Sequence, residues 1–317
     1  MKILVTPTSL QPGKNDKMLQ KLKNFSEDLV FNETGRPLTE EELGEALADC
    51  DGYIAGLDFV TEKALENCSK LKVISRYGAG VDRVDLQAAK AKGIKVTNTP
   101  GVNAEAVGEL AFGLILSAAR KISYLDQQTR AGEWVRSSGM ELSGKTIGIF
   151  GLGAIGKVVA RCAKGFDMKV MAYDPFINEE YCRQNDIQAA SMEEVLKAAN
   201  VISLHLPLLD STKHLINEQA FQMMKEGTIV INASRGGIID EAAAYDALKS
   251  GKLGGLGLDA FEVEPPKASP LFEFPNVVVT PHTGAHTKEA TDNMAQAAID
   301  NLIAVLSGEE CRFVVNR

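Results

Sequence analysis

Short apolar runs typical of β-strands alternate with segments of helical periodicity along nearly the whole chain. Parallel strands need a crossover connection, usually a helix, so this alternation predicts parallel βαβ units with helices on both faces of the sheets. A length of 317 residues exceeds what one hydrophobic core usually supports, so two such domains are expected. The predicted strands are 2–6, 52–56, 72–76, 94–97, 145–150, 169–173, 201–206, 228–233, 256–260 and 277–280, and the clearest predicted helices are 40–50, 85–92, 104–120 and 287–306.

The composition narrows the classes of partner. A formal charge of -8 at pH 7 disfavours nucleic-acid binding and a polybasic membrane anchor, because both depend on basic faces. No run approaches the roughly twenty apolar residues of a membrane span, and the first residues lack a long signal-peptide core. The sequence therefore predicts a cytoplasmic protein. Five scattered cysteines without C-x-x-C spacing predict reduced thiols and no metal site, at Cys50, Cys68, Cys162, Cys182 and Cys311.

A G-x-G-x-x-G motif lies directly after the predicted strand 145–150 and begins a predicted helix, in the run Gly151-Leu152-Gly153-Ala154-Ile155-Gly156. Alone, such a motif also fits a purely structural strand-to-helix turn. Here Asp174 stands at the end of the next predicted strand, where a carboxylate accepts hydrogen bonds from the adenosine ribose. Together these features predict a dinucleotide site on the helix N-terminus. Because the carboxylate repels a 2′-phosphate, NAD is favoured over NADP.

Several further motifs follow in order along the chain: RYGAGVD at 76–82, NTPGVN at 98–103, SLHLP at 203–207, NASRGG at 232–237, DAFEVEP at 259–265 and Pro281-His282. With the glycine motif, they make the sequence similar to the D-isomer-specific 2-hydroxyacid dehydrogenase family, and most like its D-3-phosphoglycerate dehydrogenase branch in a short form without the C-terminal regulatory domain.

The resemblance implies a Rossmann NAD-binding domain, 100–287, inserted into a flavodoxin-like substrate domain formed by 1–99 and 288–317. It also implies a homodimer, in which the region of Trp134 and Arg136 lies near the contact. The expected activity is NAD-dependent hydride transfer at C2 of a small D-2-hydroxy or 2-keto acid. Phosphoglycerate, hydroxypyruvate and glyoxylate types of substrate all stay open.

Three residues match the family's catalytic positions, and each suits its role chemically. His282 is the expected acid and base, since histidine titrates near neutral pH. Glu264 would stabilise the protonated imidazole as a nearby negative charge does. Arg235 would bind the substrate carboxylate and carbonyl through its forked guanidinium. Both Arg235 and His282 follow predicted strands, where open α/β sheets build their sites.

Other positions are carried over from the resemblance alone. The backbone N–H groups of Gly78, Ala79 and Gly80 would hold the substrate carboxylate, and Arg76 matches an arginine linked with the substrate phosphate in some phosphoglycerate dehydrogenases. His205 is expected inside a strand, near the adenine of the cofactor. Beyond the glycine motif and Asp174, the implied cofactor positions are His205, Pro207, Thr212, Ala233, Asp259 and Gly284.

Alternatives stay open for residues and for function. Glu262, two positions from Glu264, is interpreted as a solvated charge, and His286 and Arg83 depart from the residues usual in relatives. A formate-dehydrogenase-like enzyme is disfavoured by Glu264, since relatives with that chemistry lack the glutamate. A non-catalytic NAD-sensing corepressor, which retains much of the active site, is the remaining alternative.

Overall fold

The computed structural model describes residues 1–317. They divide into two compact units, one formed by Met1–Asn103 with His286–Arg317 and the other by Ala104–Ala285. The sequence predicts boundaries after residues 99 and 287, a few residues from these divisions. The separate substrate and cofactor roles expected of the two units are predictions that the division itself does not test.

Strands and helices alternate through the first 103 residues, in the order β1 (Lys2–Val5), α1 (Asp16–Phe25), β2 (Asp28–Phe31), α2 (Glu40–Leu47), β3 (Gly52–Ala55), α3 (Glu62–Leu65), β4 (Val73–Arg76), α4 (Leu86–Ala91) and β5 (Lys95–Thr97). The strands form one parallel sheet in the order β2-β1-β3-β4-β5. This is the flavodoxin-like strand order. The predicted fold class of this part is confirmed.

The second unit contains α5 (Ala104–Arg120), α6 (Ile122–Arg130), β6 (Thr146–Phe150), α7 (Ala154–Gly165), β7 (Lys169–Tyr173), α8 (Glu179–Gln184), β8 (Gln188–Ala189), α9 (Met192–Ala198), β9 (Val201–Leu204), α10 (Glu218–Met223), β10 (Thr228–Asn232), α11 (Glu241–Lys249), β11 (Leu253–Leu258), a short 3-10 helix (Pro270–Glu273) and β12 (Val277–Val279). Its seven strands are all parallel, in the order β12-β11-β10-β9-β6-β7-β8. The strand order runs from β6 to β8 on one side of β6 and from β9 to β12 on the other, as in a Rossmann fold. The predicted class is therefore confirmed here too.

The last helix, α12 (Lys288–Leu306), belongs to the first unit and completes its core. Successive strand residues point to opposite faces, so each strand contributes to two apolar layers. Ile3, Ile54 and Val73 pack with α1 and α12, whereas Leu4 and Ile74 pack with α2, α3 and α4. Both faces of the sheet are therefore covered, which explains why its strands read as continuous apolar runs.

Glycines in β11 place this strand closer to its neighbours than a side chain would allow. A β-carbon at Gly257 would lie 2.6 Å from Cδ1 of Ile231 and 3.2 Å from Cβ of Leu114 on α5. The helix α5 thus packs directly on the sheet, and its bounds are as predicted. The strand predicted at 256–260 lies earlier in the chain, at Leu253–Leu258. Its first residues include glycines, which are more typical of loops than of strands.

Other local predictions need correction. The edge strand β2 and the two-residue β8 were not predicted, since edge strands bury little and leave a weak apolar pattern. The helix predicted at 40–50 ends at Leu47.

All five cysteines are free thiols. No helix combines the length and the hydrophobicity that a membrane crossing requires.

Candidate active site

The predicted cofactor and catalytic residues of the second unit lie at one edge of its sheet. Carboxyl ends of parallel strands meet at the same edge, and neighbouring strands are about 4.8 Å apart. Each of these strands is followed directly, or within a few residues, by predicted site residues. The glycine motif follows β6, Asp174 follows β7, His205 follows β9, Arg235 follows β10, Asp259 and Glu264 follow β11, and His282 follows β12.

The glycines of the motif differ in what they do. A β-carbon at Gly151, whose φ is 93°, would lie 2.6 Å from the carbonyl oxygen of His205, and one at Gly156 would lie 2.1 Å from that of Gly151. The fold itself therefore requires these two glycines. A β-carbon at Gly153 would meet no protein atom within 4 Å. Gly153 is the N-cap of α7 and makes no side-chain cap, so the N–H groups of the first turn are open to an anion.

Asp174 is half-buried and already oriented by the backbone. Its Oδ2 accepts from the N–H of Leu152 at 2.8 Å, and its Oδ1 accepts from the N–H of Phe176 at 2.8 Å. Each carboxylate oxygen keeps a further lone pair, which suits two ribose hydroxyls. The space over Gly153, the uncapped helix and this carboxylate together fit a dinucleotide.

His282 and Glu264 are hydrogen-bonded to each other. Nδ1 of His282 lies 2.9 Å from Oε1 and 3.1 Å from Oε2 of Glu264. An ionised carboxylate only accepts hydrogen bonds, so Nδ1 carries the proton and donates it. Nε2 makes no hydrogen bond within the chain, and the His282 side chain is 29% exposed. Nε2 is therefore the ring nitrogen available to take up or give a proton.

The backbone at His282 is left-handed, with φ 52°, which is uncommon for a residue other than glycine. Asp259, which is buried, holds the chain on both sides of it. Oδ1 of Asp259 accepts from the hydroxyl of Thr280 at 2.6 Å and from the N–H of Thr283 at 2.8 Å. Oδ2 accepts from the N–H of Gly284 at 2.8 Å. Asp259 thus orients the loop of His282, while its expected cofactor contact stays a prediction.

Arg235 leaves β10 through a turn built by Asn232. Oδ1 of Asn232 accepts from the N–H of Ser234 at 3.1 Å and from its hydroxyl at 2.8 Å. Nδ2 of Asn232 donates to the carbonyl of Arg235 at 2.7 Å. A β-carbon at Gly236 would lie 1.8 Å from the carbonyl oxygen of Phe261. The loop of half-buried Arg235 therefore packs against the loop that carries Glu264.

The two glutamates of the DAFEVEP motif have different partners. Glu264 contacts His282, whereas Oε1 of Glu262 lies 3.1 Å from Nε2 of His214 and accepts from the N–H of Glu241 at 3.2 Å. The carboxylate of Glu241 in turn accepts from the N–H of Glu262 at 2.8 Å. Burial raises the pKa of Glu241. Glu262 thus contacts the start of α11 and not His282, in agreement with its interpretation as a residue outside the catalytic pair.

The prediction of His205 inside a strand is wrong. β9 ends at Leu204, because its neighbours β6 and β10 end opposite that residue. Nε2 of His205 lies 2.8 Å from the hydroxyl of Ser203, while Nδ1 is fully shielded from solvent without a hydrogen-bond partner. This burial lowers the pKa of His205 to about 3, so the ring is neutral at neutral pH.

The remaining predicted cofactor positions also follow strands β9 and β10. Pro207 is exposed and its carbonyl accepts from the hydroxyl of Thr212 at 2.7 Å. That hydroxyl also accepts from the N–H of Leu209 at 2.8 Å, which closes the turn. Ala233 is 7% exposed at the end of β10. These placements leave the cofactor contacts of the three residues as predictions.

The predicted carboxylate-binding loop, 78–80, lies after β4 in the first unit. All three of its carbonyls accept hydrogen bonds: Gly78 from the N–H of Thr99 at 3.0 Å, Ala79 from Nδ2 of Asn98 at 2.7 Å, and Gly80 from Nε of Arg76 at 3.0 Å. The three N–H groups donate to no atom of the chain. Neighbouring backbone N–H groups that have no partner in the chain can together bind an anion.

Asn98 and Thr99 were not among the predicted site residues. They follow β5, the strand next to β4, so their position after a strand end was the signal in the sequence that could have found them. Arg76 was predicted to bind a substrate phosphate. It is 5% exposed, and its bonds to backbone carbonyls favour another role.

Residues 112–284 match the family model described as D-isomer specific 2-hydroxyacid dehydrogenase, NAD binding domain. The chain is 40% identical over 320 residues to a D-3-phosphoglycerate dehydrogenase of Methanocaldococcus jannaschii, a match that covers 100% of this chain and 59% of the relative. The chain thus spans little more than half of that protein. It is 39% identical over 327 residues to a glyoxylate reductase of Thermococcus litoralis, covering 100% of this chain and 98% of the relative.

A solved structure resembles the whole chain. The apo-structure of D-lactate dehydrogenase from Escherichia coli superposes with a TM-score of 0.86 and 33% sequence identity, covering 99% of each chain.

Proposed function

This chain belongs to the D-isomer-specific 2-hydroxyacid dehydrogenase family, and from that premise we propose that it interconverts a small D-2-hydroxy acid and the corresponding 2-keto acid, with NAD supplying or accepting the hydride at C2. The observation that carries the proposal is the pair of His282 and Glu264, with Nε2 of the imidazole free, at the sheet edge that also bears the glycine motif. Such an arrangement suits a proton transfer coupled to hydride transfer.

The proton follows a defined route in this scheme. When a 2-hydroxy acid is oxidised, its C2 hydroxyl loses the proton to Nε2 of His282, and the C2–H bond breaks with its electron pair leaving as hydride. In the reverse direction the imidazolium returns the proton to the developing alkoxide. Glu264 accepts from Nδ1 throughout, and its negative charge stabilises the imidazolium.

Two groups bind the acid itself. The guanidinium of Arg235 is permanently charged and forked, which suits a carboxylate and a polarised carbonyl together. The outward N–H groups of loop 78–80 would hold carboxylate oxygens. The carboxylate is common to all 2-hydroxy acids, so these groups set the class of substrate and leave its tail undefined.

Cofactor preference is assigned to Asp174. Its carboxylate already accepts from two backbone N–H groups and would accept from ribose hydroxyls, whereas a 2′-phosphate would be repelled. We therefore expect NADH to be used in preference to NADPH. A homodimer is also part of the proposal.

A substrate panel tests the proposal. NADH oxidation is followed at 340 nm with glyoxylate, hydroxypyruvate and phosphohydroxypyruvate, alongside NADPH with the best of the three. We expect turnover with at least one acid, and its ranking identifies the substrate type. NADH binding without turnover of any 2-keto acid would instead support an NAD-sensing protein. Formate oxidation without keto-acid reduction would contradict the assigned role of Glu264 and His282.

A further inference from the structure

Arg76 is the last residue of β4, and its side chain is buried with 5% exposure. Its Nη1 donates to the carbonyl of Ala55 at 2.8 Å and also to that of Gly56, both at the end of β3. Its Nε donates to the carbonyl of Gly80 at 3.0 Å. One guanidinium thus joins the loops that follow two neighbouring strands.

The bond to Gly80 has a geometric consequence for the loop. A peptide group is planar, so turning a carbonyl inward aims the N–H of the same peptide group outward. The carbonyls of Gly78 and Ala79 are turned inward by Thr99 and Asn98. Because each carbonyl shares its peptide group with the N–H of the following residue, these two bonds aim the N–H groups of Ala79 and Gly80. The bond from Arg76 fixes the peptide group between Gly80 and Val81, and so the end of the loop. Arg76 is the only one of the three anchors that carries a charge.

A buried arginine in this position is poorly placed to touch a substrate. At least three of its five N–H hydrogens are already donated to backbone carbonyls, and the side chain is almost fully covered. Moving the guanidinium to reach a ligand would remove the hydrogen bonds to the carbonyls of Gly56 and Gly80, and Gly56 is buried.

We propose that Arg76 is a positioning residue, which locks loop 78–80 so that its N–H groups converge on the substrate carboxylate, and that it makes no contact with the substrate tail. This inference rests on the proposed function and deepens it. It differs from the phosphate contact that the sequence resemblance suggests. A clamp on the carboxylate site affects every 2-keto acid equally, whereas a tail contact affects only acids that carry a charged tail.

The test compares R76K with the unsubstituted enzyme on glyoxylate, which has no tail, and on phosphohydroxypyruvate, whose tail is a phosphate. Lysine keeps the charge but cannot span the carbonyls of both loops as a planar fork does. We expect kcat/KM to fall by roughly 10- to 100-fold, as misplaced binding groups typically cause. The fold-change should be the same for both acids and arise mainly in KM, while the affinity for NADH stays unchanged.

R83K is the matched control. Arg83 lies seven residues further along, stacks on the ring of Phe59 at 4.7 Å and donates to the carbonyl of Leu57 at 2.9 Å. Both of these contacts lie outside loop 78–80, so R83K should leave kcat/KM for glyoxylate close to that of the unsubstituted enzyme. A loss of kcat/KM in R76K that is tenfold greater for phosphohydroxypyruvate than for glyoxylate, or no loss at all, would overturn the proposed positioning role of Arg76.

A second measurement uses the unsubstituted chain and needs no variant to fold. Oxamate is titrated while amide signals of Gly78, Ala79 and Gly80 and the Nε–H signal of Arg76 are followed by NMR. We expect the three amides to shift and phosphohydroxypyruvate to move the Arg76 signal no further than glyoxylate does. Amide signals that do not shift when oxamate is added would refute the inference. So would a shift of the Arg76 signal that occurs only with phosphohydroxypyruvate. If the enzyme turns over no 2-keto acid, the proposed function fails, and the oxamate titration still decides whether the loop binds a carboxylate.

Discussion

The hydrogen bond between His282 and Glu264 determines which ring nitrogen handles the proton, and it can be tested by removing charge without removing the contact. Glu264→Gln keeps an acceptor for Nδ1 but loses the negative charge that stabilises the imidazolium. Keto-acid reduction needs the protonated ring, so its rate falls as the pH rises. We expect this fall to begin at a lower pH in E264Q than in the unsubstituted enzyme. His282→Gln should lose on the order of 10²–10⁴ in kcat at every pH.

The control is Glu262→Gln, since Glu262 belongs to the same motif but contacts His214 and the start of α11. E262Q should retain the unsubstituted pH profile of kcat. Fluorescence titration should show the same NADH affinity in all three variants. A pH profile of E264Q identical to that of the unsubstituted enzyme would remove Glu264 from the proton route.

His205 makes a separate prediction about stability. Its pKa is lowered by burial from 6.5 to about 3, so between these pH values the unfolded chain binds a proton that the folded chain excludes. The free energy of unfolding therefore falls by roughly 1.4 kcal/mol per pH unit from this group as the pH drops through that window, and its full contribution is present above pH 6.5.

Urea unfolding at pH 7 and pH 5 measures this effect. His205→Asn removes the titrating group, so the variant should lose less unfolding free energy between the two pH values than the unsubstituted chain. His286→Asn, at an exposed histidine, is the control and should keep the original difference. Equal pH dependence in H205N and H286N would show that the ring of His205 is open to protons in the folded state.

At the scale of elements, the turn from β6 to α7 separates what the fold requires from what a ligand requires. Gly153→Ala adds a methyl group where no protein atom lies within 4 Å, and φ is already negative, so stability should be unchanged or slightly higher. The same methyl group occupies the space proposed for the pyrophosphate. We expect the Kd for NADH to rise by at least about tenfold, equivalent to 1.4 kcal/mol.

Gly156→Ala is the contrasting variant. Its methyl group would lie 2.1 Å from the carbonyl oxygen of Gly151, so the helix must move and the melting temperature should fall. Thermal unfolding and isothermal titration with NADH distinguish the two effects. A G153A variant that binds NADH as tightly as the unsubstituted chain would contradict the proposed seat of the pyrophosphate.

Elements with strong periodicity were predictable from the sequence, and elements defined by close packing were not. The helix α5 is apolar over most of its length, and its bounds agree with the prediction. The first residues of β11 read as a glycine-rich loop, because a missing side chain carries no apolar pattern. Their place in the sheet follows from contacts with α5 and β10, which only the folded chain brings together.

The candidate site shows the same division. His282, Glu264 and Arg235 could be proposed because they match the family's catalytic positions and because their side chains suit the chemistry. Only their position after β5 marked Asn98 and Thr99, since they act through hydrogen bonds to backbone carbonyls of a loop some 20 residues earlier. Backbone geometry of this kind has no residue signature.

At the scale of the whole molecule, each unit has its own apolar core on both faces of a parallel sheet. The alternation of strands and helices was therefore sufficient to predict parallel α/β sheets in both units, whereas the Rossmann and flavodoxin-like strand orders were expected from the family resemblance. It did not predict the surface around α6. None of the nine residues of this helix is buried, and the segment after it exposes 81% of Trp134 and 40% of Val135.

A second copy of the chain is the proposed cover for this surface. A nine-residue helix is marginal in water without packing partners, so an exposed α6 beside an exposed tryptophan favours burial in a dimer. We expect light scattering at micromolar concentration to give twice the chain mass of 34.1 kDa, and W134S/V135S to give a single chain mass. Phe176→Ser is the control, because Phe176 is 93% exposed on the loop after β7 and should leave the mass doubled. A monomeric unsubstituted chain, or a W134S/V135S variant that stays dimeric, would place the contact elsewhere or remove it.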